Sequence, residues 1–554
     1  MLRKLILLPL LLLAPIAQAQ VAPARVAPAW SPTAPGVAAA TPEEIELKSH
    51  VQFLSADSMR GREAGTRDFD IAADYVSTQF QSMGLKPGGA NGGWFQPVSL
   101  VSYRPLRDGT MSLMQGKTPI PMAYGKDFLS SAVPSSPEFK AAGQVVFVGY
   151  GIVYPEGKRD DYKGLDVRGK IVAMLPGVPK GFPTEVAAHL GDDDQKARFA
   201  AARGAVGVVT IESNQTHADY PFDQIVPYWD YQRTTWADPQ GKAHDVSPEA
   251  PVFAYISWAG AEKLFAGSKI KWANVIAADK AGTKMPTGPL AVSMEAVSKT
   301  RNRVTRSHNV VGVLEGSDPV LKNEYIVLSA HLDHVGVGQA VNGDTIYNGA
   351  MDNAVGTGSI LQVARMFQRS GKRPRRSIIF ISLTAEEKGL IGSSYYAHFP
   401  TVPKGQIVAD INLDMPILTY QLEDLVVQGG ERSSIGPVVA KVAAEEGLKV
   451  VPDPAPEENF FVRSDHYSFV QAGIPSVSID TGPGGQGAAA QKYFLATNYH
   501  KPSDQIDLPW HWDSAAKFVR INYGVARILA DSDQRPSWNK GDFFGVLFDG
   551  YGAK

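Results

Sequence analysis

The most informative absence in this 554-residue sequence is cysteine, which does not occur at all. The chain therefore forms no disulfide bond, and it offers no thiolate as a metal ligand. Any metal ion that it binds must be held by nitrogen and oxygen atoms. Such a donor set is more typical of a hydrolytic zinc site than of a structural one, where thiolates are common.

The chain also lacks an excess of either charge, because 54 Lys and Arg stand against 56 Asp and Glu. Without a basic surplus, nothing indicates nucleic acid as a partner, and no sustained charge run indicates a membrane surface. Composition is otherwise ordinary for a globular protein, with 44% hydrophobic and 20% charged residues. At this length a single compact core is too large, so we expect two domains or one domain with a large insertion.

Long apolar runs are missing as well, apart from one at the N-terminus. The positively charged Arg3 and Lys4 precede an apolar run over residues 5–13, and an Ala-x-Ala motif ends at Ala19. This order predicts a signal peptide over residues 1–19 that is removed after export to the periplasm or the medium. The apolar run is short and contains proline, which disfavours a membrane anchor. No membrane association is expected after cleavage.

Composition and periodicity divide the remaining chain into five parts. They are an Ala/Pro-rich linker at 20–42, the first part of the main domain at 43–104, an inserted β-rich domain at 105–285, the rest of the main domain at 286–535 and a tail at 536–554. The insertion is predicted from short β-rich runs between Gly, Pro and Asp turns. Its segments Phe147–Gly151 and Gly169–Val172 resemble those of a protease-associated domain, which would carry no catalytic side chains.

Strand and helix signals alternate after about residue 305. This alternation predicts an α/β fold with a mostly parallel central sheet covered by helices on both faces. Polar residues follow three of the predicted strands directly, namely His331, the pair ending at Glu387, and Asp414. Open α/β sheets bind ligands at the carboxyl ends of their strands, so we expect these side chains to meet.

Five candidate ligands follow one another along the chain. They are His331, Asp352, Glu387, Asp414 and His500. Two imidazoles and three carboxylates suit two adjacent zinc ions that share one carboxylate. Carboxylates at the end of a buried strand are unfavourable unless a cation compensates their charge. Glu386, directly beside the third candidate, supplies a general base for a metal-bound water.

With these motifs the chain resembles the co-catalytic zinc exopeptidase family, which includes bacterial secreted aminopeptidases, glutamate carboxypeptidase II, glutaminyl cyclase and the transferrin receptor. The resemblance covers residues 309–504, with a further match at 55–95, and all five ligand positions carry the residue types of the family. It implies the zinc exopeptidase fold, two zinc ions per chain and peptides as substrates.

The resemblance also implies a role for each ligand. Asp352 would bridge the two zinc ions. His331 and Asp414 would complete the shell of one ion, and Glu387 and His500 that of the other.

Further roles follow from the same resemblance. Glu386 would act as the general base and then as the proton donor, and Tyr499 would stabilise the oxyanion. Arg463 would contact the substrate and Met415 would line the site. From its position two residues after His331, we expect Asp333 to orient that imidazole.

The surroundings of these residues give four more expectations. His334 lies in the same segment as His331 and is interpreted as a non-ligand. Asp465 and Asp504 are expected to support the ligands without binding metal. In the family the peptide bond after the bridging aspartate is often cis, so we expect a cis bond between Asp352 and Asn353.

The resulting hypothesis is an exported zinc aminopeptidase that removes N-terminal residues by metal-activated water. A carboxypeptidase of the same family is the second interpretation, with Arg463 as the one clear candidate to bind a terminal carboxylate. A glutaminyl cyclase would need one zinc ion, and a receptor-like protein would typically have lost ligands, so the complete ligand set disfavours both. A metal-free scaffold leaves the carboxylates at the strand ends unexplained. The sequence indicates no oligomeric state.

Overall fold

The computed structural model describes residues 40–554, which divide into two compact units. One unit comprises Leu100–Thr305 together with Glu457–Val462, and the other comprises residues 40–99, 306–456 and 463–554. The predicted signal peptide at 1–19 and the predicted linker, except its last three residues, lie outside the described residues. Within residues 40–554, no helix is long and apolar enough to cross a membrane.

The second unit contains the α/β architecture. Its helices are Pro42–Leu54, Arg67–Ser82, Val355–Ser370, Ile391–His398, Ile435–Glu445, His466–Gln471, Gly487–Thr497, Trp512–Asp531 and Phe543–Leu547. Its strands are Lys86–Pro87, the last part of Gly288–Leu314, Tyr325–His331, Gly336–Val341, Asp344–Tyr347, Ser377–Leu383, Ile407–Asn412, Asp424–Gln428, Lys449–Val450 and Ser476–Thr481. Short helical turns lie at Asp57–Arg62, Ala90–Gly92, Leu321–Asn323, Ala350–Ala354 and Gly430–Arg432. Two further turns, Pro456–Glu458 and Phe460–Val462, belong to the segment Glu457–Val462 of the other unit, apart from Pro456.

Four neighbouring strands of this unit run parallel. Ser377–Leu383 pairs with Tyr325–His331, which pairs with Ile407–Asn412, which in turn pairs with Ser476–Thr481. Antiparallel strands flank this group, with Gly288–Leu314 beside the first and Asp424–Gln428 beside the last. The parallel centre brings the carboxyl ends of the strands to one edge.

Both faces of this sheet are covered. Every residue of Ser377–Leu383 is buried, and its alternating side chains enter two separate hydrophobic clusters. Ile378 and Phe380 pack in one cluster, and Ile379 and Ile381 pack in the other. A strand buried on both faces is characteristic of a parallel sheet between helix layers. The predicted α/β class with a mostly parallel sheet is therefore confirmed.

The other unit is rich in short strands. These are Phe95–Pro105, which begins just before the boundary, Thr110–Gln115, Thr118–Pro121, Phe128–Ser130, Glu138–Phe147, Val153–Tyr154, Arg159–Asp160, Ile171–Met174, Gly207–Ile211, Arg233–Ala237, Val252–Ile256 and the first part of Gly288–Leu314. Its helices are Thr184–Gly191, Asp193–Ala201, Asn214–Asp219, Phe222–Ile225, Trp258–Leu264 and Trp272–Ala281, with a short turn at Val226–Tyr228.

The boundaries of the β-rich unit differ from those expected for the insertion. The unit begins at Leu100 and extends to Thr305, against the expected 105 and 285. One continuous strand of 27 residues, Gly288–Leu314, passes through the second boundary, so no turn marks it in the sequence. The resemblance of this unit to a protease-associated domain stays a prediction.

The predicted tail folds onto the second unit. Trp538 is buried and donates a hydrogen bond from Nε1 to the carbonyl of Gly473 at 2.9 Å. Asp542 accepts one from Arg432 at 3.0 Å. Two aromatic residues of the tail, Trp538 and Phe544, are therefore buried, whereas Tyr551 is exposed.

One buried histidine, His50, is expected to make the stability of the second unit depend on pH. His50 lies in the helix Pro42–Leu54, and its Nδ1 is 2.8 Å from the Tyr75 hydroxyl. Burial lowers the pKa of His50 to about 4, whereas the unfolded side chain titrates near about 6.5. The unfolded chain therefore binds the extra proton first, and stability falls as the pH decreases from about 6.5 to about 4.

We expect His50→Gln to reduce this pH dependence, because glutamine does not titrate. The measurement is the thermal midpoint of wild type and variant by circular dichroism at several pH values within that window. Equal slopes in the two proteins would contradict the assignment to His50.

Candidate metal centre

The candidate ligands come from five segments of the second unit. His331 is the last residue of Tyr325–His331, and Asp414 follows Ile407–Asn412. Glu387 follows Ser377–Leu383 after a short turn. These strands are parallel neighbours, so the three side chains lie at the same edge of the sheet. The turn Ala350–Ala354 and the segment after Gly487–Thr497 contribute the other two ligands.

Two groups of ligand atoms form around one shared carboxylate. In the first, His331 Nε2 lies 3.0 Å from Asp414 Oδ1 and 3.2 Å from Asp352 Oδ1. In the second, His500 Nε2 lies 3.0 Å from Glu387 Oε2 and 3.2 Å from Asp352 Oδ2. The two oxygens of Asp352 therefore face different groups, which is the arrangement that a bridging ligand needs.

The spacing of these atoms fits zinc. Two ligand atoms that each lie about 2.0–2.1 Å from a tetrahedral ion are about 3.3–3.4 Å apart. The separations of 3.0–3.2 Å in both groups are close to that value. All the donors are nitrogen or oxygen, as the absence of cysteine requires. The residues present thus fit two adjacent zinc ions.

The electrostatics of both groups favour bound cations. Burial by itself would lower the pKa of His331, but the carboxylates of Asp414 and Glu386 raise it well above its usual value. Burial likewise opposes protonation of His500, but Glu387 and Asp352 raise its pKa well above the ordinary range. The carboxylates thus hold positive charge at each position, which is the condition for binding a divalent metal.

Asp333 contacts both His331 and the glutamate pair. Its backbone carbonyl lies 3.1 Å from His331 Nδ1. Its carboxylate accepts hydrogen bonds from the amides of Glu386 at 3.1 Å and Glu387 at 3.4 Å. The contact with the imidazole is therefore made by the backbone, and the side chain holds the turn that carries Glu386 and Glu387.

Asp504 supports the bridging ligand. Its carboxylate accepts hydrogen bonds at 2.9 Å from the amides of Met351 and Asp352. The bond between Asp352 and Asn353 is cis, as expected. The Asn353 side chain donates to the carbonyl of Leu413 at 2.9 Å and joins this turn to the segment of Asp414. Two ligand loops are thus linked directly.

Asp414 has a support that sequence reasoning missed. Ser464 donates a hydrogen bond to Asp414 Oδ2 at 2.5 Å, and Asn412 donates to Ser464 at 2.7 Å. No motif marks this pair in the sequence, although Ser464 lies between the candidates Arg463 and Asp465. Asp465 is fully buried, and burial raises the pKa of its carboxyl to about 7.

Glu386 belongs to neither group of ligand atoms. Burial raises the pKa of its carboxyl well above the usual range, with Asp414 and Glu387 adding to the shift and His331 opposing it. A carboxyl with a raised pKa accepts a proton and retains it more readily than an exposed one. Glu386 is thus chemically distinct from its neighbour Glu387, whose pKa His500 lowers to about 2 against the effect of burial.

The remaining candidates also lie close to the site. The ring of Tyr499 stacks on that of His500, with centroids 3.9 Å apart. Burial and then the charges of Asp352 and Glu387 raise its pKa well above 10, while Arg463 acts in the opposite direction. Met415 donates its amide hydrogen to the side chain of Asn353 at 3.2 Å and is packed against the core.

His334, which the sequence analysis interpreted as a non-ligand, forms with Asp352 and Glu387 a second group whose possible ligand atoms all lie within 4.8 Å of one another. Its Nδ1 is 2.6 Å from Glu387 Oε1. The ring is fully buried and meets that of His500 edge-on, with centroids 5.7 Å apart. The motif His331-x-Asp333-His334 was its only sequence signal.

Arg62 is a fully buried arginine that holds the ligand loops from behind. It donates to four carbonyls: Leu332 at 2.9 Å, Leu54 at 2.6 Å, Asn348 at 2.6 Å and Gly349 at 3.0 Å. Leu332 follows the ligand His331, and Gly349 precedes the turn of Asp352. Gly61 permits this approach, because a Cβ there would lie 2.4 Å from the carbonyl of Tyr347. The sequence placed Arg62 in a polar turn without a role.

Comparison with known proteins agrees with this geometry. Residues 309–526 match the model of peptidase family M28. The match covers less than half of the chain. All five ligand candidates and Glu386 lie inside the matched M28 region.

Proteins similar to this chain include two kinds of peptidase. It is 28% identical over 271 residues to a probable leucine aminopeptidase 2 of Aspergillus oryzae, which covers 46% of this chain and 50% of that protein. It is 25% identical over 474 residues to a probable glutamate carboxypeptidase of Arabidopsis thaliana, covering 75% and 59%. The chain thus spans less than two thirds of the length of either relative. An aminopeptidase structure from Aneurinibacillus sp. strain AM-1 aligns with a TM-score of 0.46 and 20% identity over 89% of this chain and 95% of that one.

The four hydrogen bonds of Arg62 predict a large effect of its removal on stability. We expect Arg62→Met to leave four buried carbonyls without their donor and to lower the thermal midpoint of this unit by about 5–10 °C. Arg67→Met, at an exposed position five residues away in the same segment, is the control and should leave the midpoint unchanged. The thermal midpoints are measured by differential scanning calorimetry. Equal midpoints for the two variants would contradict this role.

Proposed function

We propose that this chain is a two-zinc aminopeptidase that hydrolyses the first peptide bond of its substrates. The proposal depends on one observation: the two carboxylate oxygens of Asp352 face separate imidazole–carboxylate pairs. Beside them stands Glu386, a carboxyl that neither pair uses. Two metal positions and a free base are the parts that metal-assisted hydrolysis needs.

The short distances within each group indicate which ligands would hold which ion. His331 and Asp414 would hold one ion, Glu387 and His500 the other, and Asp352 both. When bound, the zinc pair lowers the pKa of a water molecule towards about 7 and polarises the scissile carbonyl.

Glu386 moves the proton in this reaction. Its carboxylate accepts the proton of the attacking water and then delivers it to the nitrogen of the leaving amine. The raised pKa of Glu386 supports the second step, because the proton must stay on the carboxyl until the carbon–nitrogen bond breaks.

Tyr499 and Arg463 act on the substrate side. The raised pKa of Tyr499 keeps its phenol protonated, so that the hydroxyl donates a hydrogen bond to the oxygen that becomes negative in the transition state. Arg463 would contact the substrate, and Met415 would line its binding site.

Selection of the N-terminus follows from the acidity of the site. A free α-ammonium group would form ion pairs with the carboxylates of Glu386 and Asp414 beside the metal positions. A carboxypeptidase remains the second candidate, because Arg463 lies near enough to Tyr499 to influence its charge and could bind a terminal carboxylate. Export, predicted from residues 1–19, would place either activity outside the cytoplasm.

Substitution of Glu386 tests the proposed base. We expect Glu386→Gln to lower kcat by about 10²–10⁴-fold, since the amide cannot take the proton. Zinc content, measured by mass spectrometry of the metal, should stay at two per chain, because Glu386 is not among the ligands. Glu445→Gln, at an exposed position on Ile435–Glu445, is the control. Retained kcat or lost zinc in Glu386→Gln would refute the assignment.

A pair of peptides tests the substrate class. The zinc-loaded chain from Gln20 is incubated with one short peptide carrying either a free or an acetylated N-terminus, and the products are identified by mass spectrometry. We expect release of the first residue from the free peptide only. Removal of the C-terminal residue from both peptides would instead establish the carboxypeptidase.

A further inference from the structure

Four polar side chains connect the candidate ligand Asp414 to the interior of the sheet. Ser464 donates a hydrogen bond to Asp414 Oδ2 at 2.5 Å, and Asn412 Nδ2 donates to Ser464 Oγ at 2.7 Å. Asn412 Oδ1 lies 3.0 Å from the Ser329 hydroxyl, which in turn lies 2.8 Å from Asp410 Oδ1. Ser329, Asn412 and Asp410 are fully buried. A continuous hydrogen-bonded chain therefore runs from a ligand to a buried carboxyl group.

The direction of the hydrogen bonds is fixed at the metal end of this chain. As a metal ligand Asp414 is ionised, and a carboxylate only accepts hydrogen bonds. A serine hydroxyl has one hydrogen, so Ser464 uses it for Asp414 and must accept from Asn412. The amide nitrogen of Asn412 therefore faces Ser464, and its oxygen faces Ser329. The opposite orientation would place two oxygens 2.7 Å apart with no hydrogen between them.

The same count at Ser329 determines the protonation of Asp410. The amide oxygen of Asn412 is an acceptor, so it needs the single hydrogen of the Ser329 hydroxyl. Asp410 Oδ1 can then bond to Ser329 only by donating a hydrogen of its own. An ionised Asp410 would compete with Asn412 for the serine hydrogen, and one of the two buried oxygens would be left unsatisfied.

The surroundings of Asp410 favour the neutral acid. The side chain is fully buried in the strand Ile407–Asn412, and its Oδ2 has no hydrogen-bond partner within residues 40–554. Burial raises the pKa of Asp410 well above its usual range, with Ser329 opposing the shift and Asp465 adding to it. A buried carboxylate with an unpaired oxygen is unfavourable, and the protonated form avoids that cost.

We propose that Asp410 is a positioning residue that acts as a neutral carboxylic acid, whose O–H group donates to Ser329 and leaves the hydrogen of that serine for the amide oxygen. Ser464 is thereby kept as the donor that holds Asp414 Oδ2, so that Oδ1 points at the metal position beside His331. The inference rests on the proposed two-zinc function, because it assigns the chain to one of the two ions.

Infrared spectroscopy tests the protonation of Asp410 directly. The spectrum of full-length wild type minus that of Asp410→Asn, both at neutral pH, should contain the carbonyl stretching band of a protonated carboxylic acid. Asp127→Asn, which removes a buried carboxylate 2.6 Å from the Lys263 ammonium group, is the control and should lose carboxylate bands. Loss of carboxylate bands in Asp410→Asn as well would show that Asp410 is ionised and would overturn the proposal.

Zinc binding tests the action of the chain on Asp414. Ser329→Ala removes the hydroxyl in the middle of the chain, and Asp410→Leu removes the donor at its end. Asp410→Asn keeps a donor, because the amide nitrogen can bond to Ser329. Ser382→Ala is the matched control, since Ser382 is a fully buried serine on the neighbouring strand whose hydroxyl has no hydrogen-bond partner within residues 40–554.

The readout is the affinity of each of the two zinc equivalents, measured on metal-free full-length protein by competition with a chromophoric chelator. We expect Ser329→Ala and Asp410→Leu to weaken one equivalent by about 3–10-fold, which corresponds to the loss of one hydrogen bond. Asp410→Asn and Ser382→Ala should bind both equivalents within about twofold of wild type, because neither removes a hydrogen bond of the chain.

Three results would overturn the role at the metal in distinguishable ways. Wild-type affinities in both Ser329→Ala and Asp410→Leu would show that the chain does not hold Asp414. An equal loss in Ser382→Ala would assign the effect to packing of the sheet. Failure of the wild type to bind two equivalents would refute the proposed function, and the role at the metal with it, whatever the infrared spectra show for Asp410.

Discussion

The mutual repulsion of four carboxylates is the constraint on which the rest of this structure depends. Asp352, Glu386, Glu387 and Asp414 meet at the edge of a sheet that is buried on both faces. Two like charges about 4 Å apart repel by about 4 kcal/mol at the effective dielectric constant near a protein surface, so such a cluster needs positive charge to persist. The neighbouring carboxylates raise the pKa values of His331 and His500, and burial together with Asp414 and Glu387 raises that of Glu386, so each of these groups adds or keeps a proton there.

Most of the groups that hold the candidate ligands are neutral, so the negative charge of the carboxylates stays available to a metal ion. Backbone amides bind Asp333 and Asp504, and a hydroxyl binds Asp414. A lysine or arginine paired directly with a ligand would have neutralised it and weakened its hold on a cation. Arg62 holds the ligand loops without pairing with a candidate ligand, because it donates to their backbone carbonyls. Its charge still acts on Asp504 and Asp352.

The ligands could be predicted from the sequence because each one is marked locally. A polar residue after a buried strand, or an aspartate in a glycine-rich turn, is visible without knowledge of the fold. Ser464 and Arg62 were missed for the opposite reason. Each acts on residues brought near only by folding, and Arg62 donates hydrogen bonds to the carbonyls of Leu332 and Gly349, which are 270 and 287 residues away in sequence. The end of the β-rich unit escaped because Gly288–Leu314 continues through it as one strand.

The two metal positions share Asp352, but different segments of the chain hold their other ligands. Asp414 is held by Ser464, whereas Glu387 and His500 follow Ser377–Leu383 and Gly487–Thr497. Ser464 adjoins Arg463, which we propose contacts the substrate. A shift of that segment on binding a peptide would therefore move the hydrogen bond to Asp414 with it, and would act on the position of His331 and Asp414 before the other.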